Sequence, residues 1–225
     1  MRNYKPQRVG ITMSKIDLKI ISFSLYGDNP KYTEGAIRNA EIANEYWPGW
    51  ECHFYIGEDV PQDVASRLTD LGSKCIVRSD RMNGMFWRFE AADSTNVVIS
   101  RDTDSRIGLR EYYAVNEWLE SDKNFHIMRD HQYHGTEILG GMWGSRNGLL
   151  LGLVEKIKEY KDIYNHAYQI DQNFLREVVY PHVKDDSMVH DEFFAKAPFP
   201  KDSPPRTNTY FVGQAYDQND NPEYS

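Results

Sequence analysis

The sequence predicts an α/β protein built on a mostly parallel sheet flanked by helices. Two observations predict it, and a third says where such a protein would work. Short apolar runs rich in β-branched residues alternate, through the first eighty residues, with stretches of helical spacing. That β-α-β-α-β order feeds strands side by side in one direction and places helices on both faces. A pair of aspartates, Asp102 and Asp104, stands where a central strand ends, and open α/β sheets hold ligands beyond the carboxyl ends of their strands.

Residues 18–25 (LKIISFSL) form the first expected strand, broken by Tyr26-Gly-Asp-Asn-Pro30. A helix over 33–46 buries Ala36, Ile37, Ala40, Ile42 and Ala43. Residues 52–56 are a second strand. Pro61 opens a helix at a first-turn position, with Val64, Leu68 and Leu71 spaced for burial, and 74–77 is a third strand. The aromatic stretch 82–92 reads as helical and leads into the central strand 97–100. A helix over 110–119 offers Tyr113, Val115, Trp118 and Leu119 to the core. A short strand at 125–128, helices at 149–160 and 171–179 and a strand at 188–194 follow. The last thirty residues are irregular but aromatic (Tyr210, Phe211, Tyr216). Residues 1–17 read as a loose basic tail and 18–225 as a single domain.

The formal net charge of -8 argues against a nucleic-acid partner. Cys52 and Cys75 are too few for a disulfide framework or a metal cluster and read as free core thiols. The basic start lacks the apolar segment of a secretory signal, and no run approaches the ~18 apolar residues of a membrane span, so a cytoplasmic protein is expected.

In an extended chain residues i and i+2 share a side, so Asp102 and Asp104 can aim at one point. Two carboxylates aimed together repel unless a cation lies between them, and hard oxygen donors suit Mn2+ or Mg2+. The alternative is an Asp-rich turn with Ser105 capping the next helix. Gly140-Gly141-Met142-Trp143-Gly144 lets backbone approach a ligand and offers an indole face to a sugar ring; a glycine-rich hairpin with a core tryptophan is equally compatible. Asp171-Gln172 opens a helix, where the pair could face a reacting centre or simply cap it. Arg129, Asp130 and His131, with His134, form a polar cluster able to hold acceptor hydroxyls or to be a solvated turn. Arg88 could pair with a phosphate or a structural carboxylate.

Taken in order, these motifs resemble the glycosyltransferases of the GT-A fold that carry an Asp-x-Asp motif. The match runs over about residues 18–215. It comprises Asp102-Thr103-Asp104 after a central strand, a Gly-Gly-x-Trp loop, a helix opened by Asp-Gln, and a late His190-Asp191. The run "RDTDSRI" looks like that of small bacterial and viral nucleotide-sugar glycosyltransferases. The resemblance implies a single Rossmann-like domain with a nucleotide-binding sheet. It implies Mn2+ (or Mg2+) on Asp102, Asp104 and His190, a UDP-sugar donor, and a glycan or glycoconjugate acceptor. Ser22, Phe23, Ser24, Tyr26 and Arg88 would then hold the donor with the two aspartates, and Gly140, Gly141 and Trp143 the sugar. Arg129, Asp130 and His131 would hold the acceptor, and Asp171 and Gln172 would be catalytic. The Asp-Gln helix start is similar to that of retaining galactosyltransferases and glycogenin-like enzymes, which implies retention. Asp171 as general base would instead give inversion.

Three other functions compete. A phosphatase of the Asp-x-Asp type places its pair at the first strand, whereas here a full β-α-β-α-β precedes it. A sugar nucleotidyltransferase would show a glycine-rich Lys/Arg signature after the first strand, which is missing. A non-catalytic carbohydrate-binding protein would explain the aromatics but not the aspartates.

Overall fold

The structure is a computed structural model that describes residues 18–80, 84–164 and 169–223. The predicted basic tail, and Met82 and Asn83 of the aromatic stretch, lie outside the described residues. Seven strands form one sheet in the order β3-β2-β1-β4-β6-β5-β7. They are β1 (Lys19–Leu25), β2 (Trp50–Gly57), β3 (Lys74–Arg78), β4 (Val97–Arg101), β5 (Phe125–Arg129), β6 (Trp143–Ser145) and β7 (Ser187–Asp191). All neighbours pair in parallel except β6, which runs against both β4 and β5. The expected α/β, mostly parallel sheet is present.

Alternation along β1 sets the two cores. Ile21, Phe23 and Leu25 face α1 (Pro30–Tyr46), α2 (Gln62–Asp70) and α4 (Leu109–Glu120), joining Ala36, Leu68, Val115 and Trp118. Ile20 faces the other way. There it joins Phe86 and Trp87 of α3 (Gly84–Trp87), Trp143, Ile157 of α5 (Leu153–Tyr164) and Phe174 of α6 (Ile170–Phe174). Ser22 and Ser24 share the side of Ile20, and this polar row within a buried strand positions the site described below.

Several boundaries differ from expectation for local reasons. Helix α1 starts at Pro30, because Asn29 Oδ1 accepts from the Lys31 amide at 3.0 Å and proline suits the first helical position. The described part of the aromatic stretch splits into α3 and a 3-10 turn at Glu90–Ala92. Helix α5 begins at Leu153 rather than 149, after Gly148 and Gly152 with φ of 71° and 84°. Beyond α6 the helix widens into a π turn (Leu175–Val179) before α7 (Tyr180–Val183), where Pro181 has no amide proton to donate. Strand β7 stops at Asp191, whose carboxylate accepts the amides of Phe193, Phe194 and Ala195. Tyr113 is exposed, and Tyr112 packs on Trp47 in its place, with ring centroids 5.1 Å apart. Both cysteines are free; Cys52 is buried, which pushes its thiol up to about 12. No helix among the described residues is long and apolar enough to cross a membrane.

Candidate active site

A cavity of about 560 Å³ opens at the carboxyl ends of β1 and β4. Its walls include Ser24, Tyr26, Arg88, Asp102, Asp104 and Asp171, all singled out from the sequence. The β1–α1 loop adds Asp28 and Asn29, the first turn of α1 adds Tyr32, and Met85 comes from α3. Sequence reading passed over Asp28 and Asn29 because loop residues carry no periodicity; only the break after β1 marked where they would gather.

Arg88 stands at the centre. Its guanidinium lies 2.8 Å from Asp102 Oδ1 and 3.3 Å from Asp171 Oδ2. The serines of β1 fix its backbone: Ser22 Oγ donates to the Arg88 carbonyl at 2.7 Å, and the Arg88 amide donates to Ser24 Oγ at 2.9 Å. Ser100, level with Ser22 on β4, donates to the Gly140 carbonyl at 2.8 Å. A Cβ at Gly140 would overlap Arg88 Nη2, and one at Gly141 would overlap Asp102 Oδ2 and sit 2.6 Å from Asp102 Cγ. The two glycines let the turn before β6 pass directly against the charged cluster.

Asp102 and Asp104 sit on a turn rather than an extended segment, with Ser105 Oγ donating to the Asp102 carbonyl at 3.0 Å. Ser105 does not cap α4; the helix begins after Gly108, whose amide donates to Glu111 Oε1 at 3.0 Å. The aspartates point to different partners, Asp102 to Arg88 and Asp104 to Lys31 Nζ at 3.2 Å. Burial pushes the Asp104 carboxyl up, and repulsion from Asp102 adds to it. Burial likewise pushes Asp171 up, against the opposing charge of Arg88. Among the described residues no three His, Cys, Asp or Glu side chains group to hold a metal ion. Two hard carboxylates in one cavity still fit Mn2+ or Mg2+, since such ions are commonly held by one or two carboxylates with phosphate oxygens and water completing the shell.

Other sequence-predicted site residues lie elsewhere. Phe23 points away from Ser22 and Ser24 and stacks on Phe54 at 4.7 Å. Ser22 is fully buried and spent on the Arg88 carbonyl. Trp143 is fully buried, stacked on Phe125 at 5.5 Å, so its indole is core and not a sugar platform. Arg129 pairs with Asp191 at 2.6 Å and donates to the carbonyls of Thr136 and Glu137. Asp130 is fully buried in a two-pronged pair with Arg110. His131 stacks on Phe211 at 4.5 Å and does not line the cavity. Gln172 does not line it either, and its Oε1 is buried without a partner among the described residues.

His190 is the clearest correction. Strand β7 is the sheet edge beyond β5, with β6 and β5 between it and β4. His190 Nδ1 lies 2.8 Å from His126 Nε2, and its Nε2 lies 3.0 Å from Glu117 Oε2. The imidazole thus belongs to a structural chain of polar groups and not to the aspartate pair. Burial holds both imidazoles below the usual histidine range, His126 far below it, and Arg101 adds repulsion there. His134 is pushed down to about 4, mainly by burial. Protonation therefore favours the unfolded chain, whose histidines titrate near ~6.5. The stability these groups contribute is full above about pH 6.5 and is lost as pH falls below it toward their lower folded values. Thermal melts should show the midpoint dropping from about pH 7 to about pH 5, with a smaller drop in His190→Gln. Equal drops in variant and wild type would remove His190 from the account.

No protein-family model matches the sequence, and no curated protein matches it. Solved structures do. One is a glycosyltransferase involved in glycosylation of the major capsid of PBCV-1, 19% identical, covering 77% of this chain and 82% of that one, with a TM-score of 0.50. Another is the apo form of the glycosyltransferase GlyE of Streptococcus pneumoniae TIGR4, 14% identical, with a TM-score of 0.51. That match covers 78% of this chain but 46% of GlyE, so the chain spans less than half of that relative's length.

Proposed function

We propose that this chain, which has the fold of the GT-A glycosyltransferases, moves a sugar from a nucleoside-diphosphate donor to a hydroxyl of a glycan or glycoconjugate. The observation that carries the proposal is the convergence of Asp102, Asp104, Arg88 and Asp171 on one cavity at the carboxyl ends of the central strands. The nucleoside lies against Tyr26 and Tyr32 of the β1–α1 wall, and UDP is the donor implied by the resemblance. Asp102 and Asp104 would hold Mn2+ or Mg2+, which when bound neutralises the diphosphate as it leaves. Arg88 turns its guanidinium from Asp102 toward the phosphate oxygens, a planar donor suited to that geometry. The sugar sits beside Gly140 and Gly141, with Asp171 facing the reacting carbon.

Retention is the outcome implied by the resemblance. A second reading, inversion, is favoured by the position of Asp171: its carboxylate lines the cavity, whereas Gln172 does not. Burial raises the Asp171 carboxyl, which suits a general base that takes the proton of an attacking hydroxyl. NMR of the product anomer separates the two.

The testing experiment is calorimetric titration with UDP in Mn2+ and again in EDTA, on wild type and Asp104→Ala. Metal-dependent binding that Asp104→Ala weakens by about a hundredfold or more supports the proposal. Absence of binding to UDP, GDP and CMP alike would overturn it.

A further inference from the structure

Lys31, in the first turn of α1, was not singled out from the sequence. It lies between Asn29 and Tyr32, two wall residues of the cavity, and its ammonium is 5.5 Å from the Tyr32 ring centroid. The ammonium is 3.2 Å from Asp104 Oδ2 and 2.6 Å from Glu223 Oε2. Arg88 serves Asp102 in the same way, at 2.8 Å. Each aspartate of the pair is thus countered by its own protein cation, Lys31 from α1 and Arg88 from the segment that follows α3.

Glu223 is held in place by a built arrangement. Its amide donates to the Ala215 carbonyl at 3.0 Å, and Tyr216 forms a bridge with Pro222. The Tyr216 amide donates to the Asp104 carbonyl at 2.8 Å, Ser105 bridges to Ala215, and Arg106 pairs with Asp220 at 2.8 Å. The segment that presents Glu223 is therefore fastened to the aspartate turn itself.

Asp102 and Asp104 would hold the cation, whose charge would offset theirs; the Lys31 ammonium, 3.2 Å from Asp104 Oδ2, would then be available to a diphosphate. Glu223 then competes with phosphate oxygens for the same three N–H donors. We propose that Lys31 is a ligand of the donor diphosphate and that Glu223 is the carboxylate it leaves when the donor binds. The inference rests on the donor reading above and deepens it by naming a phosphate contact and its competitor.

The test is calorimetry in Mn2+ with UDP and with inorganic pyrophosphate, on wild type, Lys31→Gln, Lys31→Arg and Glu223→Gln, each first shown folded by circular dichroism. Lys31→Gln is expected to weaken both probes about tenfold or more, with Lys31→Arg retaining most of the affinity. Glu223→Gln is expected to tighten both probes several-fold. Unchanged affinity in Lys31→Gln, beside a wild type that binds, would overturn the role of Lys31 while leaving the donor site intact. Weakening by Glu223→Gln would overturn the competition and make Glu223 a support for Lys31. A wild type that binds neither probe would overturn the donor reading, and the role of Lys31 with it.

Discussion

Replacing Asp130 by alanine is expected to destabilise the protein by about 3–5 kcal/mol, lowering the melting midpoint by about 10 °C or more. Asp130 has no exposed surface and accepts from Arg110 Nε at 2.8 Å, from Arg110 Nη2 at 3.0 Å and from the Val212 amide at 2.9 Å. Without it the buried guanidinium keeps Glu192 at 3.2 Å and the Pro204 carbonyl at 3.1 Å, and the Val212 amide loses its acceptor. A buried charge stripped of its main partner costs far more than an intact pair contributes. The loss is a large fraction of the ~5–15 kcal/mol that holds an ordinary domain together. Urea denaturation checks it. An unaltered midpoint with a reduced affinity for acceptor would return Asp130 to substrate binding, the role its neighbourhood in sequence suggested.

Gly141→Ala is expected to lower donor affinity and transfer rate by about a hundredfold while costing the fold about 1–3 kcal/mol. The added methyl would overlap Asp102 Oδ2 and lie 2.6 Å from Cγ and 2.9 Å from the Asp102 nitrogen. The turn that carries Gly141 is held in place, because Ser100 and Trp143 are paired across β4 and β6 and Ser100 Oγ donates to the Gly140 carbonyl. Asp102 must therefore move, and if the cavity is the proposed donor site a displacement of about 1 Å is enough for such a loss. Titration with UDP and a product assay with the folded variant provide the check. Wild-type binding and turnover would mean that the approach of Gly141 to Asp102 has no part in function.

Both results separate what was legible in the chain from what was not. The strands β1 to β5 follow from local apolar runs, and α1, α2 and α4 from helical spacing, because those patterns are properties of neighbours in sequence. The reversal of β6 was not legible. Three residues, Trp143-Gly144-Ser145, are too short for periodicity to register, and their direction is set only by pairing with β4 and β5. The same holds for the π turn before α7 and for the late start of α5.

At the candidate site, the sequence by itself pointed to side chains that the structure gathers around one cavity. Asp102 and Asp104 follow a buried strand, Asp171 opens a helix, and Gly140-Gly141 must lie against something close. Only the tertiary structure decided which neighbours in sequence share the cavity. Phe23 and Ser24 are adjacent, yet β1 turns one into the core and the other toward Arg88, and Trp143 follows Gly141 by two residues into the opposite environment. His190 and Asp130 carry the right chemistry for a site, but the sheet order sets His190 two strands beyond β6, and Arg110 takes up Asp130. A side chain's chemistry is written in its residue type; its partner is chosen by whichever buried group most needs its charge or hydrogen bond neutralised, and that group is known only once distant segments have packed.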